Sequence, residues 1–217
     1  MVQPLAYGTF TQKGNDIFRT SAYIQWGSST ESLGACLLLN PGSSTGSSTG
    51  EITEITIDPT MKQLVSFVQR VYEGEQPISG RLHIYNLFNL RDASSIKAIE
   101  KFEKLVSSGE YHPEESLITI DDLKMHPWIL LGWGVMYKSK WRHLKTIKDN
   151  WIKLILDSDI PSFGKTHKNR KDFYHPCPLI STQRPLMLEE LIRHYKSTLT
   201  QNAGTEKSQE EQARFGL

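Results

Sequence analysis

The stretch Leu37-Leu38-Leu39-Asn40-Pro41-Gly42 decides the fold. From Ala35 to Leu39 every residue is apolar. Such a run reads as a central parallel strand, because helices cover both faces of a parallel sheet and leave no polar side. Pro41 cannot continue a central ladder, and Gly42 lets the backbone approach a ligand closely. The polar Asn40 therefore stands at the carboxyl end of a buried strand, where open α/β sheets bind their ligands. An ordinary strand-ending turn has the same pattern, so the functional argument depends on what the rest of the chain brings to that edge.

Outward from this stretch, strand and helix patterns alternate. Upstream, residues 7–10 and 18–26 read as an antiparallel lead-in. Downstream, residues 42–50 repeat Gly-Ser-Ser-Thr-Gly with one overlap, which reads as a flexible, expanded surface loop. Asp58 then caps a helix, Pro59 suits its first position, and Met61, Leu64, Val65, Val68, Val71 and Tyr72 recur at helical spacing. Gly74 and Pro77 end that helix. Residues 81–88 form a second core strand, finishing in Asn86 and followed by Asn89, Arg91 and Asp92. A helix over 94–106 presents Ile96, Ile99, Phe102, Leu105 and Val106. Residues 128–134 make a third buried strand, closed by Gly132-Trp133-Gly134. A helix from about residue 140 to 156 buries Trp141, Leu144, Ile147, Trp151, Leu154 and Ile155 and turns a Lys- and Arg-rich face outward. A short strand at 160–163 leads through a basic loop, 164–171, to His175-Pro176-Cys177-Pro178-Leu179. A last helix spans 186–199, and the polar residues 200–217 read as a disordered tail.

This alternation predicts an α/β fold in three layers: a central, mostly parallel four-stranded sheet with helices on both faces and an antiparallel N-terminal lead-in. One domain, 1–199, accommodates it, at a length ordinary for a single core. Strand ends then gather on one edge carrying Asn40, Asn86 with Arg91, the Gly132-Trp133-Gly134 turn, and His175.

Composition bounds the rest. Of the 217 residues 38% are hydrophobic and 23% charged, enough apolar content for most of the chain to fold. Cys36 and Cys177 lie far apart without metal-ligand spacing, which reads as a reducing cytoplasm and no disulfide framework. No signal-peptide pattern is present, and no apolar run nears the ~20 residues a membrane helix needs, so the expectation is a cytoplasmic protein with no membrane partner. Net charge is +1, but residues 138–172 hold ten Lys or Arg against four Asp, a local +6 that leaves −5 elsewhere. A local basic excess suits a polyanion-facing surface, though a solvated helix face looks alike.

Several chemistries lack their motifs. No Gly-x-Gly-x-x-Gly follows a strand, and Gly164-Lys165-Thr166 lacks the upstream glycine and helix of a phosphate-binding loop. No His-Glu-x-x-His, paired Cys-x-x-Cys or Gly-x-Ser-x-Gly is present, so neither a metal nor a cofactor is expected. What remains is Asn40 with His175, beside carboxylates such as Asp58 and Asp92. An Asn carbonyl can orient a water. A His at a strand end can donate to a leaving group acquiring negative charge. Together they suit hydrolysis by water with an anionic leaving group.

The motifs in order carry a resemblance. Leu39-Asn40-Pro41-Gly42, Asp58-Pro59-Thr60, Asn86-Leu87-Phe88-Asn89-Leu90-Arg91, Leu131-Gly132-Trp133-Gly134 and a basic Gly164 loop before His175-Pro176 look like a bacterial domain-of-unknown-function family, number 1643, over roughly residues 15–180. The same order is similar, more distantly, to the uracil-DNA glycosylase superfamily. That resemblance implies that Asn40 positions the attacking water and His175 stabilises the departing base. It further implies that Pro41, Gly42, Asn86 and Arg91 contribute to the substrate pocket and that Leu179 is a wedge in the DNA groove. Lys165, His167, Lys168, Arg170 and Lys171 then meet phosphates. The chain departs from the pattern in two ways. The aromatic residue that usually follows the first motif is replaced by the Gly-Ser-Ser-Thr repeat, so Tyr85, Phe88 or Trp133 must stack on the base. Cys177 stands where the superfamily has Ser. A looser pocket admits a larger base, a modified cytosine of phage DNA being one version.

The expectation is a monomeric, cofactor-free DNA glycosylase that flips a base and leaves an abasic site. A non-catalytic nucleic-acid-binding module on the same fold, and a hydrolase of free nucleosides or nucleotides, are the alternatives. Salt-sensitive binding without base release marks the first, and indifference to neutralising the basic loop marks the second.

Overall fold

Strands β1 (Leu5–Lys13) and β2 (Asp16–Trp26) form an antiparallel hairpin. The buried strand before Asn40 is β3 (Ser32–Leu38), and β4 (Thr49–Ile55) returns along β1. Next come α1 (Pro59–Val71), β5 (Gly80–Asn86), α2 (Ser95–Ser107) and α3 (Ile120–Lys124). Then follow β6 (Ile129–Leu131), α4 (Arg142–Ser158), β7 (Ser162–Phe163) and α5 (Arg184–Phe215). The computed structural model describes residues 3–43, 46, 49–74, 77–169 and 171–215, and only the backbone of 201–215.

The α/β class holds, but the sheet differs from expectation. Among the described residues it is mixed and has seven strands in the order β4-β1-β2-β5-β3-β6-β7, not four. Strands β5, β3, β6 and β7 run parallel, whereas β4, β1 and β2 run antiparallel. The lead-in belongs to the main sheet because β2 pairs directly with β5, from Tyr23 opposite His83 to Trp26 opposite Gly80. Periodicity reports which face a residue takes, not which strand lies alongside, so this pairing has no local signature. The end of the Gly-Ser-Ser-Thr repeat also enters the sheet, since Thr49 and Gly50 open β4.

Alternation along β3 explains its unbroken apolar run. Ala35, Leu37 and Leu39 pack in a core with residues of α2, α3 and α4, among them Phe102, Leu123 and Trp151. Cys36 and Leu38 face a second core, built with Phe67 of α1 and Leu191 of α5. Helices thus cover both sides of the sheet. Helix α1 begins as its sequence requires, with Pro59 at the first turn and Asp58 Oδ1 accepting from Met61 N at 2.8 Å. The last helix runs beyond residue 199, and the polar segment that reads as a tail continues its backbone to Phe215. Among the described residues no helix is long and apolar enough to cross a membrane.

Candidate functional site

The carboxyl edge of the parallel strands opens on a cavity of about 470 Å³ lined by both Asn40 and His175. The volume lies within the range of small-molecule sites. Asn40 is held from two directions. Its Nδ2 donates to Asp92 O at 2.9 Å, and its backbone carbonyl meets Asn86. The Asn86 amide is assigned by its hydrogen bonds: Nδ2 donates to Asn40 O at 3.2 Å and Oδ1 accepts from Arg19 Nη2 at 3.1 Å. With Nδ2 so engaged, Asn40 Oδ1 has no protein donor among the described residues, and remains the acceptor that the amide can offer a ligand or water.

His175 arrives by close backbone approach. A Cβ on Gly132 would lie 2.6 Å from Pro176 Cδ, and one on Gly164 would lie 2.3 Å from Leu131 O. Only glycine fits either place, so the basic loop and the His175 segment can press on the end of β6. Gly134 N donating to Phe173 O at 2.9 Å and Tyr174 N donating to Lys165 O at 2.8 Å fix the strap. His175 Nδ1 sits 3.2 Å from Cys177 N and 3.0 Å from Cys177 O. With its proton on Nε2 the ring accepts from Cys177 N–H; with its proton on Nδ1 it donates to the carbonyl. Burial lowers the pKa of His175, while the Cys177 backbone and the Asp58 charge pull the other way. The imidazole is therefore neutral at physiological pH.

The helix starts add to the electrostatics. Asp58, Pro59 and Thr60 at the head of α1 line the cavity, as do Ala93 and Ser95 at the head of α2. Both macrodipoles present their positive ends there. Arg19, only 3% exposed, lines the same cavity. Burial lowers its pKa to about 10 against the opposing charge of Asp58, so it stays cationic near neutral pH. Burial likewise raises the pKa of the Cys177 thiol, keeping it protonated. Among the described residues no group of three or more His, Cys, Asp or Glu is placed to hold a metal.

The residues singled out in the sequence divide clearly. Asn40, Pro41, Gly42, Trp133, His175 and Leu179 all line the cavity. Asn86 lies buried beneath it, bracing Asn40, and Arg91 Nη2 donates to Ser43 O at 3.1 Å on the adjoining loop. Tyr85 and Phe88 are not among its lining residues. Tyr85 takes the other face of β5 and bonds His126, and Phe88 is fully buried, stacked on Phe102 at 4.5 Å. Trp133 is 1% exposed with its Nε1 donating to Asp172, so its ring is largely committed to the core.

The basic stretch is partly neutralised. Lys165 pairs with Glu190, and Lys148 Nζ reaches Asp172 Oδ1 at 2.6 Å. Burial favours the protonated form of Asp172, but hydrogen bonds from Lys148, Asn169 and Trp133 outweigh it and lower the pKa. Lys168 and Lys171 are exposed, His167 packs edge-on against Tyr174, and Arg170 lies outside the described residues.

No family model, curated protein or solved structure matches this chain. The site therefore stands on its own geometry. Arg19 and Arg184 are charged lining residues that the sequence reading left out, whereas Asp58 is named there beside Asn40 and His175. Asp58 was legible as a helix cap, and a cap at a strand's carboxyl edge also faces that edge's ligand. Arg19 had no signal in its neighbourhood, since a lone arginine in a strand reads as solvent-facing.

Proposed function

We propose that this chain is a DNA glycosylase that hydrolyses the N-glycosidic bond of a flipped-out base and leaves an abasic site. The observation that carries the reading is the meeting of Asn40 and neutral His175 in one cavity at the sheet's carboxyl edge. Asn40 Oδ1 holds a water against C1′ of the extruded nucleotide. The water oxygen bonds to C1′, the C1′–N bond breaks, and the water's proton ends on the departing base. His175, protonated on Nε2 while Nδ1 accepts from Cys177 N, donates to the base as negative charge develops on it. The order of motifs that resembles the uracil-DNA glycosylase superfamily supports the same roles. So does Leu179, 98% exposed at the cavity rim, as a wedge that fills the gap left by a flipped base.

A hydrolase of free nucleosides or nucleotides is favoured by one observation: Lys148 and Lys165, inside the basic stretch, are spent on internal ion pairs. Incubating the protein with normal, uracil-bearing and hypermodified DNAs, then cleaving with hot alkali, separates the readings. Strand scission at one base type, abolished in Asn40→Ala with DNA affinity nearly intact, is the expected result. Release of base from free nucleosides but from no DNA would replace the proposal with the second reading.

A further inference from the structure

Arg19 owes its place to an irregularity in the β1–β2 ladder. Thr9 pairs with Ser21, but Phe10 pairs with Arg19, so Thr20 is skipped in the register with β1. Such a shift changes the face onto which the following residues project. Phe18 joins the core of α2, α3 and α4, while Arg19 is carried to the side of Ala22, Ile24 and Trp26, beside the head of α1.

A cation buried this deeply is costly unless its donors are used. The guanidinium makes one hydrogen bond among the described residues, from Nη2 to Asn86 Oδ1, and Nε is buried with no acceptor among them. No described carboxylate comes within 4.0 Å of it, although Asp58 lies near enough to favour its charge. An arginine offers five N–H donors in a planar fork that matches paired acceptors. Nε is sealed from the cavity, so the edge left for a ligand is the terminal Nη1–Nη2 pair, whose remaining N–H donors have no other partner among the described residues although Arg19 lines the cavity wall.

We propose that Arg19 recognises two neighbouring hydrogen-bond acceptors on the edge of the base that enters the cavity. The inference rests on the glycosylase reading in one respect, that a flipped base is what enters. Cytosine-type bases present such a pair at O2 and N3, and guanine at O6 and N7. Uracil and thymine place an N3–H donor between their carbonyls and would set it against the guanidinium. The fork thus selects bases by an unmet donor rather than by pocket size, which discriminates more sharply than shape alone.

Duplexes carrying one 2′-fluoroarabino nucleotide opposite an abasic spacer test this, because the fluorine disfavours positive charge at C1′ and blocks cleavage. Affinity is measured for cytosine, guanine, uracil and thymine at that position, with the wild type, Arg19→Met and Arg19→Lys. The wild type should prefer cytosine or guanine to uracil and thymine by about 10- to 100-fold. Arg19→Met should erase that preference, and Arg19→Lys, which keeps the charge without the fork, should leave it much reduced with the melting temperature nearly unchanged. No base preference in the wild type, or a preference intact in a folded Arg19 variant, overturns the inference. Cleavage of the unfluorinated DNAs is followed in parallel. Cleavage with an Arg19-independent preference sinks this inference alone, and an Arg19-dependent preference with no cleavage sinks the glycosylase reading alone.

Discussion

Acidification should destabilise this protein through one histidine that does not line the cavity. His126 is 6% exposed, with Nδ1 2.7 Å from Ser32 Oγ and Nε2 2.8 Å from Tyr85 Oη. The His83 ring lies 4.8 Å away, centroid to centroid. Burial first, then the neighbouring His83, lowers the pKa of His126 from 6.5 to about 4, with Asp122 opposing. The unfolded chain therefore takes up this proton before the folded one does. The stability contributed by the neutral ring is complete above the unfolded value near 6.5 and is lost as pH falls towards about 4. Each unit of difference corresponds to about 1.4 kcal/mol, so the full loss is roughly 3 kcal/mol, of which about 2 kcal/mol has gone by about pH 5. Urea denaturation of the wild type and His126→Gln between about pH 8 and about pH 5 measures it. The wild type should lose about 2 kcal/mol more than the variant across that range. Parallel stability curves, or an NMR titration placing His126 near 6.5 in the folded protein, would refute the reasoning.

Two further outcomes follow from the site's supports. Removing the carboxylate in Asp172→Ala leaves Lys148 and Trp133 Nε1 without their acceptor in a nearly closed setting, and should cost about 3–5 kcal/mol in denaturant unfolding; adding Lys148→Met should recover most of it, and a single-variant cost under about 1 kcal/mol would mean the network is not holding the loop. Leu179→Ala should leave stability within about 0.5 kcal/mol, since the side chain is 98% exposed, while weakening binding to duplex DNA several-fold in a titration; unchanged affinity would exclude a wedge.

Local patterns were legible where local physics decides them. The apolar run of β3 declared a strand buried on both faces, and Asp58-Pro59 declared the start of α1. The prominence of Asn40 came from the same source, because a polar residue at the end of an apolar strand is visible without knowing its neighbours; His175, twelve residues beyond the end of β7, stood out only through its His-Pro motif after the basic loop. Strand β4 escaped because Thr49–Ile55 is an edge strand, exposed over most of its length, with no apolar stripe to reveal it. Tyr85 and Phe88 looked available for stacking only while their directions were unknown.

By itself, then, the sequence determined that helices would cover both faces of a sheet and that Asn40 would end its central strand, since hydrophobic spacing and backbone chemistry act within a few residues. Only the tertiary structure decided that β2 joins β5, that Gly132 and Gly164 let His175 reach the cavity, and that a one-residue shift opposite Phe10 turns Arg19 inward. Those outcomes depend on hydrogen-bond register and on atoms meeting across distant parts of the chain, and no spacing along the sequence encodes either.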